Sequence, residues 1–112
     1  MSCQRVVCFR FKTEVTPEQR QEMVAAFRTL ARQIPSIRSY RDGATLPGDN
    51  GSTPGWDSFH YLTFDTPMEI DTYYRHPAHE QFVEQFSPLW QDVLVINASV
   101  DETQVRYTNP TS

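Results

Sequence analysis

Only two cysteines and four glycines occur in the 112 residues, and no apolar run approaches the ~20 residues that a membrane-spanning helix requires. Cys3 and Cys8 lie five positions apart in a segment that reads as extended, too far to bridge each other, so no disulfide framework can form. Two reduced thiols and a cytoplasmic location are expected. Basic charge is also short: 10 Lys and Arg stand against 14 Asp and Glu, a net charge of -4 and a pI near 5.2. Nothing there attracts phosphate backbones or anionic membranes in general, so neither nucleic acid nor a membrane is expected as a partner. The opening MSCQRVVCFRFK has basic residues scattered through its short apolar stretch, unlike a secretory signal. Gly-rich phosphate loops, nucleophile elbows and dinucleotide fingerprints are missing too.

What is present suits one small domain over residues 1–112, with a core from about 5 to 99 and a polar tail at 107–112. Hydrophobic residues make up 38% and aromatics 12%. A compact monomer of 13.0 kDa exposes roughly 6,300 Å² where its extended chain exposes about 19,000 Å², which leaves room for a single core.

From Arg5 to Phe11 the chain alternates, with Arg5, Val7, Phe9 and Phe11 on one face and Val6, Cys8 and Arg10 on the other, the pattern of a strand. Thr16-Pro17-Glu18-Gln19 has the form of a capped helix start, and Met23, Val24, Phe27, Leu30 and Ala31 continue it as one apolar stripe to about Arg32. Pro35 ends this helix, and Ile37 to Arg41 reads as a second strand. Gly43 to Gly55 holds all four glycines and two prolines and is expected to be a mobile loop. A third strand over Trp56 to Phe64 places Ser58, His60, Leu62 and Phe64 on one face.

Thr66-Pro67 repeats the cap and proline signature before a short helix, Met68 to Tyr74, which Pro77 interrupts. Ala78 to Phe86 resumes as helix. Val93-Leu94-Val95-Ile96 then reads as a strand covered on both faces. The order β-α-β-β-α-β predicts an α+β, ferredoxin-like fold. Two helices cover one face of four strands, and no material remains for the other, so a homodimer with facing sheets is expected.

All three histidines deserve a chemical and a structural reading. Tyr73-Tyr74-Arg75-His76-Pro77-Ala78-His79 packs two phenols, a guanidinium and two imidazoles into seven residues. Imidazole titrates near neutrality and a phenol can donate to an oxyanion, which suits acid/base work on carbonyl compounds. Equally, His76 can cap the restarted helix while the tyrosines pack on the sheet. His60, mid-strand, is either a hydrogen-bonded core residue or a cavity group. Arg5 either joins the histidines in cradling a carboxylate or an enolate, or projects into solvent. Pro77 spoils the geometry of a His76-x-x-His79 metal pair, so neither a metal nor a cofactor is expected.

VVCFRFKTEVTPEQ, Ile34-Pro35-Ser36-Ile37, Leu62-Thr63-Phe64, Tyr74-Arg75-His76-Pro77-Ala78-His79 with Phe82-Val83, and Trp90 to Val95 together resemble the stress-responsive dimeric A/B barrel (Dabb) family over about residues 5–99. The resemblance implies a dimeric α+β barrel and a cavity between sheet and helices in which Tyr73 and His79 perform the chemistry. In polyketide-cyclising members of the family, histidines correspond to Arg5 and Ser58 of this chain, and a tyrosine corresponds to Phe27. His60, on the same face as Ser58, can restore an imidazole.

Catalytic roles are accordingly expected for His79, Tyr73 and His60. Substrate contacts are expected from Arg5, Val7, Phe9, Phe27, Ser58, His76 and Trp90, in a cyclase, isomerase or lyase acting on a small carbonyl or polyketide-type compound, with aldol cyclisation favoured. The alternative is a non-catalytic, stress-responsive or small-ligand-binding dimer. A cavity of about 300 Å³ near His79 separates the two readings.

Overall fold

The computed structural model describes residues 2–49, 55–103 and 105. Strand β1 (Ser2–Phe11) is followed by helix α1 (Pro17–Gln33), strands β2 (Ser39–Gly43) and β3 (Ser58–Phe64), helices α2 (Pro67–Arg75) and α3 (Pro77–Phe86), a 3-10 turn (Ser87–Leu89) and strand β4 (Trp90–Val100). The four strands form an antiparallel sheet in the order β2-β3-β1-β4. This is the ferredoxin-like arrangement, with the second helix broken in two.

Strand alternation explains the inner face of the sheet. Cys3, Arg5, Val7, Phe9 and Phe11 of β1 and Ser58, His60, Leu62 and Phe64 of β3 are all buried beneath the helices. The stripe on α1 contributes Met23, Phe27 and Leu30 to the same core, and α3 contributes Phe82 and Phe86. Helix starts follow their local chemistry. The Thr16 hydroxyl accepts from the Gln19 N–H at 3.1 Å, and the Gln19 side chain accepts from the Thr16 N–H at 2.8 Å. Such a box satisfies two orphan donors, the cap alone being worth about 1 kcal/mol. Thr66 caps α2 in the same way, accepting from Glu69 at 3.2 Å.

All four strands differ in extent from the sequence reading, and β1 starts at Ser2 rather than Arg5 because it pairs there with Val100 of β4. β2 starts at Ser39 rather than Ile37, because the Ile37 N–H closes a turn onto the Ile34 carbonyl at 3.1 Å. β3 starts at Ser58, since the Asp57 backbone binds Phe9 while its carboxylate accepts from the Phe11 N–H at 2.8 Å. β4 runs far beyond Val93–Ile96, as it pairs with β1 from Ser2 opposite Val100 to Phe11 opposite Trp90. The mobile-loop expectation falls partly on residues 50–54 and the polar tail on 107–112, which lie outside the described residues.

The expected cover on both faces of β4 is not provided within one chain. β4 is an edge strand, and Val93, Leu94, Val95 and Ile96 remain 36–51% exposed. Leu94 and Ile96 lie opposite Cys8 and Val6, on the sheet face that carries no helix. Cys3 and Cys8 are both buried free thiols on opposite faces of β1. No helix of the described residues is long and apolar enough to cross a membrane.

Candidate active site

The break between α2 and α3 builds the site. Pro77 cannot continue α2, and the His76 Nδ1 accepts from the Ala78 N–H at 3.0 Å, so His76 ends one helix and caps the next. Its structural reading is the one realised. The restart turns His79, in the first turn of α3, against Tyr73 of α2, with ring centroids 4.7 Å apart.

Both groups line a partly open cavity of about 220 Å³ between β1, β4 and the helices. Arg5, Val7 and Phe9 of β1 line the sheet side, with Phe27 from α1 and Trp90 from the start of β4. Phe9, Phe27, Tyr73 and Trp90 therefore line the space without filling it. The volume falls short of the roughly 300 Å³ expected of an enzyme site, so size alone does not favour the catalytic reading. A second hollow of about 300 Å³, open to solvent, shares Tyr74, His79 and Val83 with it, so His79 stands on the wall between cavity and exterior.

Electrostatics in the cavity favour a neutral imidazole. Burial first, and the Arg5 charge second, push His79 below its ordinary value, while a hydrogen bond to the Tyr74 carbonyl and the charge of Glu80 act the other way. A neutral imidazole has one ring nitrogen able to accept a proton. Tyr73 is 1% exposed. Burial pushes its phenol up to about 12, with Arg5 opposing the rise. It is a protonated donor at neutral pH.

Arg5 is buried, its guanidinium 5.4 Å from the Tyr73 ring centroid, and its Nη1 donates to Asn97 Oδ1 at 3.1 Å. Its Nε has no hydrogen-bond partner among the described residues. The reading in which it projects into solvent is overturned, because β1 is an inner strand flanked by β3 and β4 and its odd-numbered side chains point under the helices.

Of the residues expected at the site, Arg5, Val7, Phe9, Phe27, Tyr73, His79 and Trp90 are brought together; Ser58, His60 and His76 do not line the cavity. His60 lies opposite Val7 and Asp42, on the far side of β1 from β4. There its Nδ1 meets the Tyr40 hydroxyl at 2.7 Å, its Nε2 meets Ser58 Oγ at 3.1 Å, and its ring stacks on Phe27 with 4.3 Å between centroids. Burial lowers it to about 4, with Asp42 opposing. It is fully buried among these partners and has no route to a substrate in the cavity, so the catalytic role expected for it lacks the geometry.

Tyr74, Phe82, Val83, Val93 and Val95 complete the lining, and none was singled out as a site residue from sequence. Alternation along β4 places Val93, Val95 and Asn97 on one side, but only the register with Phe9, Val7 and Arg5 shows that this side faces the helices. A larger hollow of about 390 Å³ between α1 and β2 is lined by four arginines without a histidine. Arg28 and Arg38 there are paired with acids.

Residues 3–100 match the protein family described as Stress responsive A/B Barrel Domain. The olivetolic acid cyclase of Cannabis sativa is 25% identical over 97 residues, covering 87% of this chain and 95% of that protein. Among solved structures, the hydroxynitrile lyase from Passiflora edulis superposes with a TM-score of 0.81 at 19% identity, over 93% of this chain and 97% of that one. A dimeric ferredoxin-like protein of unknown function from Thermobifida fusca gives 0.76 at 23%, over 89% and 92% respectively.

Proposed function

The chain belongs to the stress-responsive A/B barrel domain family, and from that premise we propose that it is a cofactor-independent acid/base enzyme acting on a small carbonyl compound, with aldol-type cyclisation as the favoured reaction. The observation that carries this reading is the meeting of His79, Tyr73 and Arg5 in one largely apolar cavity. Similarity to a cyclase and to a hydroxynitrile lyase agrees with carbonyl chemistry.

The unprotonated ring nitrogen of neutral His79 takes a proton from the carbon between two carbonyl groups. The electrons move onto oxygen, and the Tyr73 hydroxyl donates to the resulting enolate. The enolate carbon then attacks a second carbonyl carbon of the same chain. The alkoxide so formed receives the proton held by His79, and the neutral imidazole is regenerated. Val7, Phe9, Phe27 and Trp90 exclude water and hold the apolar part of the substrate. Arg5 is the cation of the binding surface.

The unpartnered face of the sheet, with Leu94 and Ile96 exposed, supports a homodimer in which two sheets face each other. The dimeric description of the Thermobifida fusca protein agrees.

A second reading, a non-catalytic small-ligand-binding dimer, draws on two of the three histidines: His76 is a helix cap and His60 a buried hydrogen-bonded residue. Turnover of β-keto and β-polyketo acids by wild type, His79→Ala and Tyr73→Phe separates the two. Loss of about 10²- to 10⁴-fold for His79→Ala and about 10²-fold for Tyr73→Phe, with melting temperatures unchanged, is the expected result. Equal turnover in all three proteins overturns the roles; no turnover by wild type favours the second reading.

A further inference from the structure

Arg5 is a buried charge whose counterion is missing from the described residues. Its side chain reaches the cavity wall, yet the residue is only 7% exposed. A guanidinium has five N–H donors. One goes to the neutral amide of Asn97 at 3.1 Å, and the guanidinium lies 5.4 Å from the Tyr73 ring centroid. Nε is buried without an acceptor among the described residues. No carboxylate of the described residues lies within ion-pair distance, although Arg10, Arg20, Arg28, Arg38 and Arg75 all have one. Arg32 and Arg41 have no ion pair among the described residues either, but both are exposed and can be hydrated, whereas Arg5 is buried without one.

From this arrangement we infer that the cavity is built for a free carboxylate, and that the carboxylate of the substrate is the counterion of Arg5. A planar guanidinium matches a carboxylate in two parallel hydrogen bonds, which neutral groups cannot do. Val7 and Phe9, both buried, wall the sheet side, where such a pair is less screened than in bulk water. The inference rests on the cavity being the substrate site and names the substrate class: small keto acids whose acid group is free, in preference to their esters or amides. Tyr73 lies beside the guanidinium and His79 beside Tyr73, so an acid anchored on Arg5 brings its own keto groups toward the phenol and the imidazole.

Isothermal titration with benzoate and with benzamide, a neutral counterpart of nearly equal shape, tests this by binding alone. Wild type is expected to hold benzoate about 30-fold more tightly than benzamide, as for a buried hydrogen-bonded charge pair. Arg5→Met is expected to bind the two within about twofold of each other, and Arg5→Lys to keep part of the preference. Should Arg5→Met fail to fold, the wild-type comparison still decides. Equal binding of benzoate and benzamide by wild type overturns the inference, as does no binding of either, or binding of inorganic phosphate in place of benzoate. A benzoate preference without turnover of any keto acid keeps the anion site and removes the acid/base reading; turnover without that preference does the opposite.

Discussion

His60 supplies a measurable link between pH and folding. In the unfolded chain its imidazole titrates near ~6.5. In the folded chain burial lowers it to about 4, because the ring is enclosed between Phe27, Tyr40 and Ser58 where an imidazolium cannot be hydrated. A depressed value means that the unfolded state binds the proton more readily, so stability is complete above about pH 6.5 and falls as pH drops toward 4. The fall from ~6.5 to about 4 corresponds to roughly 3 kcal/mol, of which about 2 kcal/mol is lost between about pH 7 and pH 4.5. That is a large share of the stability of a small domain. The Asp42 carboxyl, held down chiefly by its hydrogen bond to Arg28, loses its contribution only below the ordinary carboxylate range near ~3.9, so the two windows separate.

The assay is urea unfolding of wild type and His60→Gln between about pH 7 and pH 4.5, at one protomer concentration so that association does not shift the result. Glutamine keeps a hydrogen-bonding group between Tyr40 and Ser58 but has no titrating proton. His60→Gln is expected to be the less stable protein at pH 7, and its profile is expected to fall by about 2 kcal/mol less than wild type on acidification. His79, also depressed, contributes the same slope to both proteins and cancels in the difference. Parallel profiles would refute the reasoning, for they would mean that His60 is protonated alike in the folded and unfolded states.

Ile96→Glu places a charge on the open sheet face, where the side chain is 51% exposed in one chain. Light scattering coupled to size exclusion is expected to show a dimer for wild type and a species of about half that mass for the variant; an unchanged mass would place the interface elsewhere. The pH dependence of kcat/KM follows from the depressed His79. The rate is expected to be flat through neutrality, to fall only below about pH 6.5, and in Arg5→Met the acid limb should move upward in pH because a positive neighbour is removed. An unmoved limb would show that Arg5 does not act on the imidazole.

Particular residues show where local pattern sufficed. Thr16-Pro17-x-Gln19 and Thr66-Pro67 are self-contained devices whose donors and acceptors lie within four residues of one another, and both helices start where these devices stand. The parity of Arg5, Val7 and Phe9 likewise follows from strand geometry alone. His76 acts on a backbone N–H two residues away, so its capping role was among the readings the sequence offered. His60 differs: alternation points it inward, but whether inward means cavity or core depends on its place in the sheet. With β1 and Phe9 between it and β4, it is core.

By itself, then, the sequence determined the order of elements, the caps, the inner faces of β1 and β3 and the shortage of material that leaves one sheet face bare, since each depends on interactions within a few residues or on composition. Tertiary structure decided which groups meet. Arg5, Tyr73, His79 and Asn97 come from β1, α2, α3 and β4, and their convergence depends on strand register and helix placement, which no single segment encodes. The same packing left Arg5 buried without a carboxylate among the described residues, a property of three-dimensional neighbours that composition does not contain.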